Sequence, residues 1–259
     1  MNKKINDLLN VKNLLVLVLV LLICLPEGFA QQNAQFRALV FSKTTGFRHQ
    51  SIPNGVVAMK KLAEKHRFSV YTTEDEREFT KEKLEKYDVI ILVSTTGTIF
   101  NAEQKEAFED FVRSGKGVVG IHSATDTEYE WPWYTGLIGG QFAFHPHQQT
   151  ARLKVVDRSH PSTYHLQENW LMTDEWYAFK NFNEDVNVLV ELDETSYEVG
   201  ERNGQSMGMG THPISWYHEY DGGRLFYTGL GHTDEAFEDE GFLLHVLGGI
   251  WYAALNRPF

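Results

Sequence analysis

Lys116-Gly117-Val118-Val119-Gly120-Ile121 is a short apolar run that breaks abruptly into the polar stretch His122-Ser123-Ala124-Thr125-Asp126. An apolar run without alternation reads as a strand buried on both faces, the habit of a parallel sheet. Upstream, Tyr87-Asp88-Val89-Ile90-Ile91-Leu92-Val93 has the same character. Between the two, Asn101 and Gln104 have capping-box spacing. Ala107, Phe108, Phe111 and Val112 follow as one buried stripe, and Ser114-Gly115 closes the helix. Strand, helix, strand is therefore predicted. Further upstream, residues 36–41 read as a first strand. Val56, Met59, Leu62 and Ala63 read as a helix entered through Pro53, and residues 68–71 as a second strand, with a short helix starting at Thr80. The βαβαβαβ order requires right-handed crossovers and an α/β fold, a mostly parallel sheet with helices on both faces. The second half is less regular. It carries an aromatic segment at residues 131–134, strands expected at 151–156, 186–192, 212–220 and 224–228, and a last helix at 241–255. Repeats and linkers are absent, so one elaborated domain is expected over residues 31–259.

Of the 259 residues, 42% are hydrophobic and 13% aromatic, enough for a substantial core. The formal net charge of -11 lacks the basic footprint of a nucleic-acid binder. Cys24 alone cannot make a disulfide framework, a cysteine zinc site or an iron–sulfur site, so a metal would have to sit on histidine and carboxylate. Lys3 and Lys4, the apolar run 14–25 and the small residues Gly28 and Ala30 have the three-part pattern of a signal peptide over residues 1–30. The run is too short for a spanning helix, which needs about 20 apolar residues. The expectation is a secreted or periplasmic protein with no integral membrane span after cleavage.

Ligands of an open parallel sheet bind beyond the carboxyl ends of its strands. Three polar, glycine-containing loops follow strands there: Ser42 to His49, Ser94 to Thr98, and His122 to Asp126. His122 stands where a buried strand breaks, which places its imidazole at the sheet edge. A helix beginning just after it would disfavour the imidazolium and leave a neutral base or metal ligand. His49 and His232 end glycine-bearing turns and are expected to face the same crevice, with Thr45 beside them and Arg48 available to clamp a sugar hydroxyl or an anion. His145-Pro146-His147 has a spacing that could supply metal ligands. Asp174-Glu175-Trp176-Tyr177 sets two carboxylates beside two aromatics, a combination suited to gripping a carbohydrate, and burial could make one acid a proton donor. His212 opens a strand. His66, His160, His165, His218 and His245 are assigned to packing or solvated positions.

Taken in order, Thr45-Gly46-Phe47-Arg48-His49, Gly120-Ile121-His122, Gly139-Gly140 with Phe144-His145-Pro146, Asp174-Glu175-Trp176-Tyr177, Pro213 to Trp216, and Gly223 to Thr228 with Gly231-His232 resemble the trehalose-utilisation (ThuA-like) family. The resemblance spans nearly all of the chain after residue 36. It implies a flavodoxin-like domain of the class I glutamine amidotransferase type, in which the strand-breaking nucleophile position is His122 here. Without a thiol at that position, cysteine-dependent amidotransfer is excluded. The implied substrate class is a glycoside or 3-keto-sugar derivative.

Two readings follow. In the first, the protein is an enzyme, whether hydrolase, lyase or isomerase. His122, Asp174 and Glu175 are catalytic, and Thr45, Arg48, His49, Trp176, Tyr177, His212 and His232 bind a small-molecule carbohydrate, with a divalent metal ion as an optional cofactor. In the second, it is a non-catalytic carbohydrate-binding or interaction protein whose shelf is Trp131, Trp133, Trp176 and Tyr177.

Overall fold

The carboxyl ends of three parallel strands lie level with one another, and this register builds the functional edge. In the computed structural model, which describes residues 34–255, the first half runs β1 (Arg37–Phe41), α1 (Ile52–His66), β2 (Ser69–Thr73), α2 (Lys81–Leu84), β3 (Val89–Val93), α3 (Ala102–Arg113) and β4 (Gly117–Ile121). The second half runs α4 (Pro132–Ile138), β5 (Gln141–Phe144), β6 (Gln149–Val155), β7 (Asn169–Asp174), β8 (Ala178–Lys180), β9 (Asn187–Leu192), β10 (Glu201–Arg202), β11 (Gln205–Ser206), β12 (Pro213–Tyr220), β13 (Gly223–Thr228) and α5 (Glu240–Leu255). The expected signal peptide lies outside the described residues.

Among the described residues, nine strands form one sheet in the order β2-β1-β3-β4-β13-β12-β9-β6-β7. The first five are parallel, which is the flavodoxin-like order, and the last four alternate in direction. The burial of each strand follows from its place. β3 and β4 are buried at every position, whereas β6 alternates exposed and buried residues because only one of its faces is covered. β1 steps through α1 to β2 on one side, and β3 steps through α3 to β4 on the other. Right-handed crossovers in opposite directions place α1 and α3 on opposite faces of the sheet. The capping box expected at Asn101 and Gln104 is formed in both directions, at 2.9 and 2.8 Å.

α5 is apolar on almost every side because it is buried almost all round. It lies directly on β13, so that a side chain at Gly249 would run into the Phe226 ring. In register, Ile121 of β4 pairs with Val93 of β3 and with Thr228 of β13. Ser94, His122 and Gly229 therefore leave the sheet at the same level. β7 also points its carboxyl end to this edge, delivering Asp174 and Glu175. Strands β5, β7, β8 and the two-residue β10 and β11 are absent from the expected pattern. β5 and β8 are only four and three residues long. Trp170, Leu171 and Met172 of β7 make too short an apolar run to stand out.

Burial also sets how the fold responds to acid. His245 lies inside α5 with Nδ1 2.9 Å from the Ser162 carbonyl and Nε2 3.0 Å from Ser215 Oγ. Burial pushes its pKa down to about 3, and that of His160 down to about 4. The unfolded chain takes up these protons first, near pH 6.5. The stability they carry is complete above that pH and drains away as pH falls toward 4, by up to about 1.4 kcal/mol per pH unit per histidine. Urea unfolding between pH 7 and pH 5 should show this loss, with a shallower slope in His245→Gln. An unchanged slope in the variant would remove His245 as a contributor.

Candidate functional site

The backbone turns sharply at His122, whose φ of +51° lies in the left-handed region that a non-glycine residue enters at a cost of about 1–3 kcal/mol. Its carbonyl accepts a hydrogen bond from the Tyr227 hydroxyl at 2.8 Å, which helps hold that conformation. A single 3₁₀ turn, His122–Asp126, follows. The helix expected after His122 is thus not an α-helix, and the expected macrodipole is missing. A hydrogen bond orients the ring instead. Nδ1 lies 2.9 Å from the Gly229 carbonyl, which can only accept, so Nδ1 carries a proton and the neutral ring has its lone pair on Nε2.

The three loops beyond β1, β3 and β4 are stitched together. Thr45 N–H donates to the Thr96 carbonyl, Gly97 N–H to Asp126, and Glu128 N–H to Gly97, at 2.8–3.0 Å. The buried Glu128 carboxylate accepts from the N–H groups of Ile99 and Phe100 and pairs with Lys105. Beside them, His122 Nε2 faces His49 Nε2 at 3.1 Å, His232 Nδ1 at 3.3 Å and Glu175 Oε2 at 3.6 Å. His232 Nδ1 lies 3.2 Å from the same Glu175 oxygen, and the other oxygen, Oε1, lies 3.0 Å from His145 Nδ1. The Tyr177 hydroxyl is 3.4 Å from His49 Nε2, and its ring packs on His122 at 4.3 Å between centroids. One donor atom from each of His49, His122, Glu175 and His232 can be chosen so that no pair is more than 4.8 Å apart, a set able to hold a cation.

The groups polarise one another. Burial, reinforced by the neighbouring His122 and His232, pushes His49 down to about 3, so it is neutral at pH 7. Burial acts to raise Glu175, but hydrogen bonds and charge from His122 and His232 prevail and hold it well below the usual carboxylate range. Burial acts to lower His232, and bonding to Glu175 outweighs it, so its pKa rises. Asp126 is pushed up by burial against the 2.6 Å hydrogen bond from the Tyr129 hydroxyl.

Of the residues singled out in the sequence, His49, His122, Glu175, Tyr177 and His232 come together, and others do not join them as expected. Asp174 is fully buried and structural. Its carboxylate accepts from the backbone N–H groups of Glu175, Gly231 and His232 at 2.8–3.1 Å, so it positions two members of the cluster without facing a substrate. Trp176 is fully buried with its indole N–H donated to the Gln149 carbonyl, so it is a core ring and offers no face to a sugar. Arg48 is held by Glu74 through two hydrogen bonds, at 2.7 and 3.1 Å. The Thr45 hydroxyl donates to main-chain carbonyls of the Thr96 to Thr98 loop. His212 is buried against Glu194, Tyr197 and the Tyr177 carbonyl. His145 joins the cluster through Glu175, whereas its neighbour His147 is exposed. Asp126, near enough to feel the charges of His122 and His145, carries no motif that sequence reasoning could have used.

Fold and site together define an α/β protein with flavodoxin-like strand order whose carboxyl edge gathers imidazoles and a carboxylate. The chain belongs to the ThuA family, whose model, described as trehalose utilisation, matches residues 37–253. Among curated proteins, no significant match is found. A solved ThuA-like protein from Bacteroides uniformis ATCC 8492 is 26% identical with a TM-score of 0.72, the match covering 86% of this chain and 92% of that one. A ThuA-like protein from Parabacteroides merdae ATCC 43184, 20% identical with a TM-score of 0.71, shares the fold over 86% of this chain and 91% of its own. The β-galactosidase of Bacillus circulans sp. alkalophilus, 14% identical with a TM-score of 0.53, shares it over 84% of this chain and 31% of its own.

Removing the Asp174 carboxylate would strand three backbone donors. Asp174→Ala should destabilise the protein by about 2–4 kcal/mol in urea unfolding. A loss under about 0.5 kcal/mol would show that the clamp is dispensable.

Proposed function

We propose that this protein is an enzyme acting on a carbohydrate, a glycoside or its 3-keto derivative, by proton transfer at the open side of the His/Glu cluster. The observation that carries the reading is the Glu175–His145 pair. The His145 side chain is 40% exposed and its Nδ1 lies 3.0 Å from Glu175 Oε1, so a carboxylate orients an imidazole that solvent and substrate can reach. That is the arrangement a general acid–base needs. His122 has no exposed surface and supports the site from beneath.

Beside a keto carbon, His145 would accept the proton from the adjacent carbon while the electron pair moves onto the carbonyl oxygen. In elimination the carbonyl re-forms, a C=C bond forms at the deprotonated carbon as the adjacent C–O bond to the leaving group breaks, and the imidazolium protonates the departing oxygen. In isomerisation the imidazolium returns the proton to carbon. The family's association with trehalose utilisation supports a sugar substrate, and the pattern of residues 1–30 supports action in the periplasm or outside the cell. His122 occupies the position that a cysteine would hold in an amidotransferase, which leaves thiol chemistry no part in the reaction. The aromatic shelf required for a purely sugar-binding role is weakened by the burial of Trp176 and Tyr177.

Turnover of 3-keto-glucosides should fall by about 10²–10⁴ in His145→Gln, the usual worth of a positioned acid–base group, and fall also in His122→Ala. Equal rates in wild type and His145→Gln would overturn the assignment. Tight calorimetric binding of the sugars with no product after long incubation would replace the enzyme by a binding protein.

A further inference from the structure

We infer that His49, His122, His232 and Glu175 form a binding site for one divalent first-row transition ion of the zinc type, built from three imidazole nitrogens and one carboxylate oxygen. Such an ion would rest on the same premise as the proposed reaction, that these side chains are the reactive centre. It adds a Lewis acid to the floor of the pocket.

The distances agree with a coordination shell. With metal–ligand bonds of about 2.0–2.1 Å, neighbouring ligand atoms of a tetrahedral ion stand about 3.3 Å apart. The contacts His122–His49, His122–His232, His232–Glu175 and His122–Glu175 measure 3.1, 3.3, 3.2 and 3.6 Å. No pair among the four donor atoms exceeds 4.8 Å, so the remaining edges would have to contract only modestly as the ion is taken up.

Hydrogen-bond accounting points the same way. With Nδ1 donating to Gly229, the neutral His122 ring offers one lone pair, on Nε2. Two other ring nitrogens and a carboxylate oxygen crowd that single lone pair. A cation would use every one of these electron pairs at once.

The surroundings have the form that orients metal ligands. His122 donates its second nitrogen to a carbonyl, and His49 sets Nδ1 3.3 Å from Ser123 Oγ. The buried Asp174 carboxylate fixes the backbone of both Glu175 and His232. Outer partners of this kind hold the tautomer and the ring direction of ligating histidines. The donor set selects among cations: magnesium and calcium take oxygen ligands, whereas imidazole suits zinc and its first-row neighbours. The His232 side chain, 25% exposed, is the part of the set that solvent reaches most.

Glu175 would then bridge two tasks. Oε2 would face the ion and Oε1 would orient His145, so the proton carrier and the Lewis acid lie on opposite oxygens of one carboxylate. A substrate carbonyl oxygen at the open side could be polarised while His145 handles the proton.

The test uses purified protein dialysed against EDTA and titrated with Co²⁺ under visible absorption, followed by displacement with Zn²⁺. One equivalent of Co²⁺ should bind with ligand-field bands, one equivalent of Zn²⁺ should abolish them, and the thermal midpoint should rise with either ion. His49→Ala and His232→Ala should lose saturable binding while remaining folded by circular dichroism. Asp174→Asn should bind about 10–100-fold more weakly, the cost typical of a lost outer partner, and His147→Ala should bind as wild type does. Absence of saturable Co²⁺ binding by wild type up to millimolar ion, or wild-type binding by both His49→Ala and His232→Ala, overturns the site. The two proposals separate cleanly. Undiminished turnover of 3-keto-glucosides by EDTA-treated protein that binds no Co²⁺ would sink the ion and leave the reaction. A full Co²⁺ site in protein that turns over no sugar would do the reverse.

Discussion

A residue with a side chain, held at φ +51° where β4 ends, aims its ring under the pocket, and the rest of the functional edge is arranged around that ring. The conformation is costly, and the sheet supplies what holds it. Register sets Thr228 opposite Ile121, so the next residue of the neighbouring strand offers its carbonyl to His122 Nδ1. Tyr227, one residue earlier on that strand, donates its hydroxyl to the His122 carbonyl. Two hydrogen bonds from one parallel neighbour thus define both the backbone and the tautomer. Strain of this sort at a strand end is accepted where a side chain must be aimed.

The second requirement is distance. β7 lies four strands from β13 in the sheet order, yet the carboxylate at its end bonds Gly231 and His232, just beyond β13. The antiparallel half must therefore curl over the end of the parallel half, consistent with Trp170 of β7 packing against His245 of α5. Asp174 closes this curl, and by closing it brings Glu175 to the histidines. Stability and site geometry share one residue here, so a change at Asp174 disturbs both.

The parallel half was readable because its physics is local. β3 and β4 are apolar at every position, and the helix between them announces its start with Asn101 and Gln104. The carboxyl-edge rule then pointed to His49 and His122 from strand order alone. His232 and Glu175 were legible as polar residues at turns, but their meeting was not, since it arises from long-range curling and a three-donor clamp. Trp176 shows the converse failure. An aromatic beside two acids suggests a sugar platform, while Trp176, two residues past the end of β7, is fully buried with its indole N–H on the Gln149 carbonyl. Arg48 carries no sequence signal of its partner, because Glu74, 26 residues away, pairs with its guanidinium. His145 carried only a weak signal, because its role comes from touching Glu175.

Three imidazoles and a carboxylate from four separate segments share one small volume, with a reachable imidazole beside it. A crystal structure of protein equilibrated with zinc, with data collected on both sides of the zinc absorption edge, tests this most directly. A single anomalous peak is expected about 2.0–2.1 Å from the His49, His122, His232 and Glu175 donor atoms. Zinc found elsewhere, with these side chains turned away from one another, would contradict it.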